Sequence, residues 1–336
     1  MKKAQISLQF NWIFVFIVGA VILLFFLVIV RSQTKDADYE LAGEIIKNLD
    51  TVVKSSEQTA GTLKMIKIPD VTIEFVCEPD TKVSFYDIGN GVSKDTPHDI
   101  IFSQKELSGT ELISWTQSWN VPFRIGFFQY LTTRRAQYII VNDILDESQG
   151  GLSEKLFKML PKNITKILIE QGEDVEDKGY DYYKIIQFKG NEHGGDVKAP
   201  DDKVQIIMIE TNDLNAHGTV NFTRENKVLK FLKKESLFGA IFAEDVDFYN
   251  CTMAKAFERL KTLMTLSHDR TSQLRVEVSD TKCSTLYEWS LDDIDNILST
   301  IDASGLNGAD SIYEASKQLA RGNQNLIRGR NCPLIY

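Results

Sequence analysis

Three pairs of acidic residues stand where a sheet could gather them for chemistry. Asp143 and Asp146 follow the apolar run 138–141, Glu210 and Asp213 follow 204–209, and Glu244 and Asp245 follow 238–242. If these runs are parallel strands, their carboxyl ends share one edge, where Asp143, Glu210, Asp213, Glu244 and Asp245 could assemble a divalent-metal site. Aspartate is also an ordinary turn residue, so plain strand-end turns fit the same pattern. The four histidines, His98, His193, His217 and His268, form no metal-spaced pair and read as exposed or hydrogen-bonded side chains. No serine lies in a Gly-x-Ser-x-Gly elbow, and no glycine-rich phosphate loop stands at a strand–helix turn. The sequence therefore assigns no catalytic residue and no cofactor. Lys227, Lys230, Lys233 and Lys234 read as the solvated face of a helix over 225–234.

The cysteines carry a second kind of chemistry. Cys77, Cys251, Cys283 and Cys332 have no zinc-ribbon spacing, and their even number fits two disulfides in an oxidising compartment. Four buried thiols packing as small apolar groups are the alternative. Of the three pairings, the expectation is Cys251–Cys283, closing a local loop around a helix at 252–266, with Cys77–Cys332 tying a short tail to an early strand. Asn163, Asn221 and Asn250 each open an Asn-x-Thr triplet, which is compatible with a glycosylated external domain.

The N-terminus decides where such a domain would sit. Residues 12–30 are nineteen consecutive residues without charge or strong polarity. As a helix they span about 28 Å, close to the roughly 30 Å hydrocarbon core of a bilayer. Lys2 and Lys3 precede the span, and all acidic residues follow it, which favours a cytoplasmic N-terminus. Leu41, Ile45, Leu49, Val52 and Val53 recur at helical spacing, so helix continues as a stalk to about residue 60, with Gly43 as a soft spot.

Met1-Lys2-Lys3-Ala4-Gln5-Ile6-Ser7 places a small residue before the apolar run, whereas a secretory signal has its cleavage site after it. This arrangement resembles an archaeal class III signal peptide, as carried by archaellins and type IV pilin-like proteins. The resemblance covers about the first thirty residues. It implies cleavage by a prepilin peptidase between Ala4 and Gln5, on the cytoplasmic side, leaving a mature chain that keeps its apolar helix. Pilins commonly carry Glu at the fifth mature position, and here that position is Gln9.

The rest reads as a folded head. The chain has 336 residues, 43% hydrophobic and 25% charged, with a net charge of −9, which argues against a general nucleic-acid binder. Strands are predicted at 63–68, 71–77 and 82–86, and a loop at 89–100. An aromatic stretch follows, with Trp115, Trp119, Phe123, Phe127, Phe128 and Tyr130, read as core or as a carbohydrate or peptide platform. Strands at 138–141, 165–169, 182–188, 204–209 and 238–242, with helices at 153–159 and 225–234, suggest a parallel layer. Three helices are expected beyond residue 250, one of them capped by Ser290.

The chain reads as α/β, with a single N-terminal transmembrane helix and helical stalk, a small β region, a Rossmann-like α/β layer and C-terminal helices. Its divisions are a leader at 1–11, the span at 12–30, a stalk at 31–60, an α/β head at 61–248 and a helical part at 249–336. The expected function is that of a single-pass archaeal cell-surface protein with a structural or interaction role, pilin-like in its N-terminus. Its expected partners are the lipid bilayer, prepilin peptidase and pilus or cell-surface proteins. The alternative is a membrane-tethered extracytoplasmic enzyme using the acidic strand ends.

Overall fold

The computed structural model describes residues 2–56, 61–78, 81, 83–88, 92–143, 151–190, 195, 197–278, 281–330 and 332–336. Span and stalk form one helix, α1, Lys2–Ser56, about 80 Å long at 1.5 Å per residue. Gly43 does not interrupt it. Over Phe14–Gln33, a stretch long and apolar enough to cross a membrane, no side chain is buried. The last turns behave differently. Ala42, Ile45 and Leu49, spaced three and four apart, are buried in the main core, whereas Leu41 is exposed. Tyr86 donates its hydroxyl to the Ile46 carbonyl (3.4 Å). The stalk is thus seated on the head by one stripe.

Eight strands follow: Leu63–Lys67 (β1), Ile73–Cys77 (β2), Ser84–Asp87 (β3), Ser93–Asp95 (β4), Ile100–Phe102 (β5), Glu106–Leu107 (β6), Glu111–Asn120 (β7) and Arg124–Thr133 (β8). They form two four-stranded sheets, β1-β7-β8-β5 and β4-β3-β2-β6. Residues 93–95, expected as loop, are β4. The aromatic stretch is core. Trp115, Trp119, Phe128 and Tyr130 are buried on β7 and β8 and pack at tilted angles on Phe102, Phe238, Phe242 and Phe257, while Phe123 and Phe127 are half-buried.

A six-stranded sheet comes next: Ala136–Val141 (β9), Thr165–Ile169 (β10), Tyr182–Phe188 (β11), Val204–Glu210 (β12), His217–Phe222 (β13) and Lys227–Leu232 (β14), in the order β10-β9-β11-β12-β13-β14. The first four in that order are parallel, and β13 and β14 add an antiparallel hairpin. Leu152–Met159 (α2) and Lys233–Phe242 (α3) belong to the main core, on the face of Tyr138, Ile186 and Ile207. The other face, with Ile139, Val141, Tyr183 and Ile185, is covered by loop residues Val175, Tyr180 and Val197. The layer is parallel, as expected, but its helices lie on one face only.

Two sequence expectations change here. Residues 227–232 are strand, not helix. Asn226, with φ 49°, turns the chain after β13, and its N–H bonds the Thr223 carbonyl (3.3 Å). Of the lysines that suggested a helical face, Lys227 and Lys230 line this strand and pair with Asp247 and Asp310, whereas Lys233 and Lys234 open α3. Residues 238–242 are helix, not strand. All of α3 from Glu235 onward is buried, so it has no polar stripe to reveal a helical period. Gly239 fits there because a Cβ would come within 2.7 Å of the Phe102 ring.

The C-terminal part is Val246–Glu277 (α4), Thr281–Ser304 (α5) and Ala309–Arg330 (α6). Ser290 caps nothing. It is buried mid-helix in α5 against Gly322 of α6, where a Cβ would lie 2.9 Å from its hydroxyl, so small residues set this crossing. The disulfides are Cys77–Cys251 and Cys283–Cys332, which corrects the expected pairing. The reason is length. α4 runs 32 residues, about 48 Å, and Cys251 lies near its start, so it cannot reach Cys283 beyond the far end. β2 packs beside the start of α4, bringing the Cα atoms of Cys77 and Cys251 to 6.0 Å. α5 and α6 pack together, and the start of one meets the end of the other, bringing Cys283 and Cys332 to 5.9 Å.

Candidate functional site

From β9 the chain passes through α2 to β10, then returns so that β11 lies on the other side of β9. Such a reversal is where open α/β sheets hold ligands, beyond the carboxyl ends of the strands. A cleft of 570 Å³ opens at this edge, lined by Asp143, Leu152, Phe188, Lys189, Glu210, Thr211 and His217 among others.

The acids at this edge are already engaged. Asp143 accepts from the backbone N–H groups of Leu152 (2.8 Å) and Ser153 (3.2 Å) and from the Ser153 hydroxyl. It thereby occupies the N-terminus of α2, where a phosphate could otherwise bind. Gly151 permits this closeness, since a Cβ there would lie 1.9 Å from Asp143 Oδ1. Glu210 pairs with Lys189 (2.6 Å), and Asp213 Oδ1 accepts from the Asn215 N–H (2.9 Å) in a local turn. Asp146 and His193 lie outside the described residues.

His217 adds a group that the sequence did not single out for this edge. Its Nδ1 is 3.8 Å from Asp310, which Lys230 holds at 2.5 Å, and its ring packs on Tyr313. Burial pushes the Asp310 carboxyl up, but the hydrogen bond and charge of Lys230, with help from His217, hold it below the usual range. His268 instead lies beside Asp269 and Asp295, joining α4 to α5.

Glu244 and Asp245 lie at the other end of the sheet, because the segment before them is α3 and not a strand. Tyr182, which opens β11, donates to the Glu244 carbonyl (3.4 Å). The Glu244 carboxylate accepts from the Lys105 N–H (2.8 Å), and Asp245 pairs with the Lys105 ammonium (2.5 Å) and caps α4 through the Phe248 N–H (2.8 Å). The acidic candidates thus divide between the two ends of the sheet. Among the described residues, no three His, Cys, Asp or Glu side chains come together to hold a metal ion.

No protein-family model, curated protein or solved structure matches this chain.

The strand-start end holds the most unusual group. Lys184, inside β11, is completely buried and donates to the carbonyls of Ala243 (2.9 Å) and Glu244 (3.3 Å). Gln104 donates to Phe242 O (3.4 Å), so buried side chains meet the carbonyls left free at the end of α3. Burial pushes the Lys184 ammonium down to about 7, against Glu225, Glu244 and Asp245, which favour its charge. Lys255 of α4 is similar. It reaches the carbonyls of Thr96 (2.8 Å) and Asp99 (2.6 Å) and the Ser84 hydroxyl, and burial lowers it to about 8 against the pull of Asp99. A lysine amid the apolar run of β11 was the sequence signal for this site.

This geometry makes stability depend on pH. Between pH 7 and 10.5 the unfolded chain binds a proton at Lys184 that the folded chain has released, so unfolding free energy rises with pH there. Above pH 10 the buried Tyr130 and Tyr182, raised by burial first, reverse the trend, because only the unfolded chain ionises them. Urea unfolding of the detergent-solubilised chain should show wild type gaining roughly 2–4 kcal/mol on a Lys184→Met variant from pH 7 to 10. A pH-independent difference would contradict the buried, uncharged lysine.

Proposed function

We propose that this chain is a single-pass membrane-anchored cell-surface protein with a structural or interaction role, its N-terminus cytoplasmic and its head extracytoplasmic. The observation that carries this reading is α1, which is wholly unburied over Phe14–Gln33 yet seated in the head by Ala42, Ile45 and Leu49. One continuous helix thus joins a bilayer-length segment to a folded domain. Two disulfides, with no free cysteine among the described residues, support an oxidising compartment for that domain. A helix that projects at one end and packs on a head at the other also supports the pilin-like reading. In that reading the leader is of the archaeal class III type, prepilin peptidase cuts between Ala4 and Gln5, and pilus or cell-surface proteins are the partners.

Intact-mass measurement on protein from the native membrane tests the processing. The mature chain is expected to begin at Gln5 or its cyclised form, with Met1 to Ala4 lost. Retention of Lys2 and Lys3 would leave an uncleaved signal anchor. The cleft at the strand ends keeps a tethered enzyme as the second reading. Thermal stabilisation by Mg²⁺ or Mn²⁺ that disappears in Asp143→Asn and Glu210→Gln variants would favour it.

A further inference from the structure

We propose that Asn163 carries an N-linked glycan that covers the seam between two open sheet edges. This rests on the extracytoplasmic placement of the head proposed above. Three Asn-x-Thr triplets occur, and the fold separates them. Asn163 lies in the turn between α2 and β10, partly exposed. Asn221 sits within β13, opposite Met208 on one side and Val228 on the other, with its Oδ1 buried. Asn250 is exposed, but Cys251 is disulfide-bonded and buried Thr252 donates to the Ile101 carbonyl (3.3 Å). Asn163 and Thr165 are both partly exposed at the entry to an edge strand, with Ile164 buried between them and the Thr165 hydroxyl donating to the Arg134 carbonyl (3.4 Å) at the surface.

The neighbourhood gives the glycan a purpose. Asn163 Nδ2 is 3.6 Å from Met65 Sδ, and Met65 is an exposed apolar side chain (48%) at the centre of β1. Thr165, the third residue of the triplet, opens β10. β1 is the outermost strand of its sheet and β10 the outermost strand of the six-stranded sheet, so Asn163 stands where two edges meet. Open edges template pairing with other chains, and a projecting lysine is a common guard. β1 carries Lys64 and Lys67, but Lys166 of β10 does not project, because its ammonium is drawn back to the carbonyls of Phe157 (2.5 Å) and Leu160 (2.6 Å) at the end of α2. A hydrated sugar chain on Asn163 would guard the β10 edge, which Lys166 leaves uncovered.

The group transfer needs a lipid-phosphate-linked oligosaccharide as donor. The Asn163 amide nitrogen bonds the anomeric carbon, the bond from that carbon to the phosphate oxygen breaks, and the amide proton leaves with the phosphate.

Glycopeptide mapping of the full-length protein from its native membrane tests this, with Thr165→Ser and Thr165→Val variants. The Asn163 peptide should be heavier by whole sugar residues in wild type and Thr165→Ser and bare in Thr165→Val, a nearly isosteric strand residue. The bare variant should self-associate at lower concentration in sedimentation. A bare wild-type peptide, or sugar retained in Thr165→Val, overturns the site, and unchanged association overturns the role at the edges. External protease on the same cells separates the premises. A digested head with bare Asn163 refutes the glycan alone, whereas a protected head refutes the placement and the glycan with it.

Discussion

Replacing both Cys77 and Cys251 by serine is expected to lower stability by about 5 kcal/mol, since this bridge closes a loop of 174 residues. The Cys283–Cys332 bridge closes 49 residues and should be worth about 4 kcal/mol by the same entropy argument. The first bridge also joins the small sheet that seats α1 to the start of α4, so its loss should loosen the anchor's attachment to the head. Urea unfolding of the full chain in detergent, double variant against wild type, measures the effect. An unchanged midpoint would contradict the pairing, as would a non-reducing peptide map that links Cys77 to Cys332.

Trp119→Ala should cost about 3–5 kcal/mol, the range for removing a large aromatic side chain from a closed core. Trp119 is completely buried, stacks on Phe128 and packs on Phe257 of α4, and donates its indole N–H to the Leu232 carbonyl (3.1 Å) just before α3. It therefore joins three elements at once. Trp119→Phe should cost much less, about 1–2 kcal/mol, because the Ser236 hydroxyl also donates to that carbonyl (2.8 Å). Equal losses for the two substitutions would show that the hydrogen bond, and not the ring volume, carries the site.

Where the sequence was legible, one periodicity dominated. Residues 12–30 are apolar on every face, and only a membrane or a fully enclosed core accommodates that. The strands of the parallel layer showed themselves as short β-branched runs such as Ile206-Ile207-Met208-Ile209. The same logic failed at 238–242, because a helix enclosed on all sides is as uniformly apolar as an enclosed strand. That one exchange moved Glu244 and Asp245 to the other end of the sheet and split the supposed metal cluster. Asp143 and Glu210 do line one cleft, but their partners, the backbone of α2 and Lys189, could not be read from spacing. Disulfide pairing failed for a related reason. It depends on helix length and packing, and the 252–266 estimate for α4 was too short by half. Lys184 is a lone charge in an apolar strand, and its role depends on where α3 ends, which spacing does not show.

The central claim is that α1 holds an extracytoplasmic head on the membrane. Protease added to intact cells or right-side-out vesicles tests it most directly. The head should be digested, leaving a protected N-terminal fragment of about thirty residues, the length that a positive-inside anchor shields. A head that survives until detergent is added would place it on the cytoplasmic side and contradict the account.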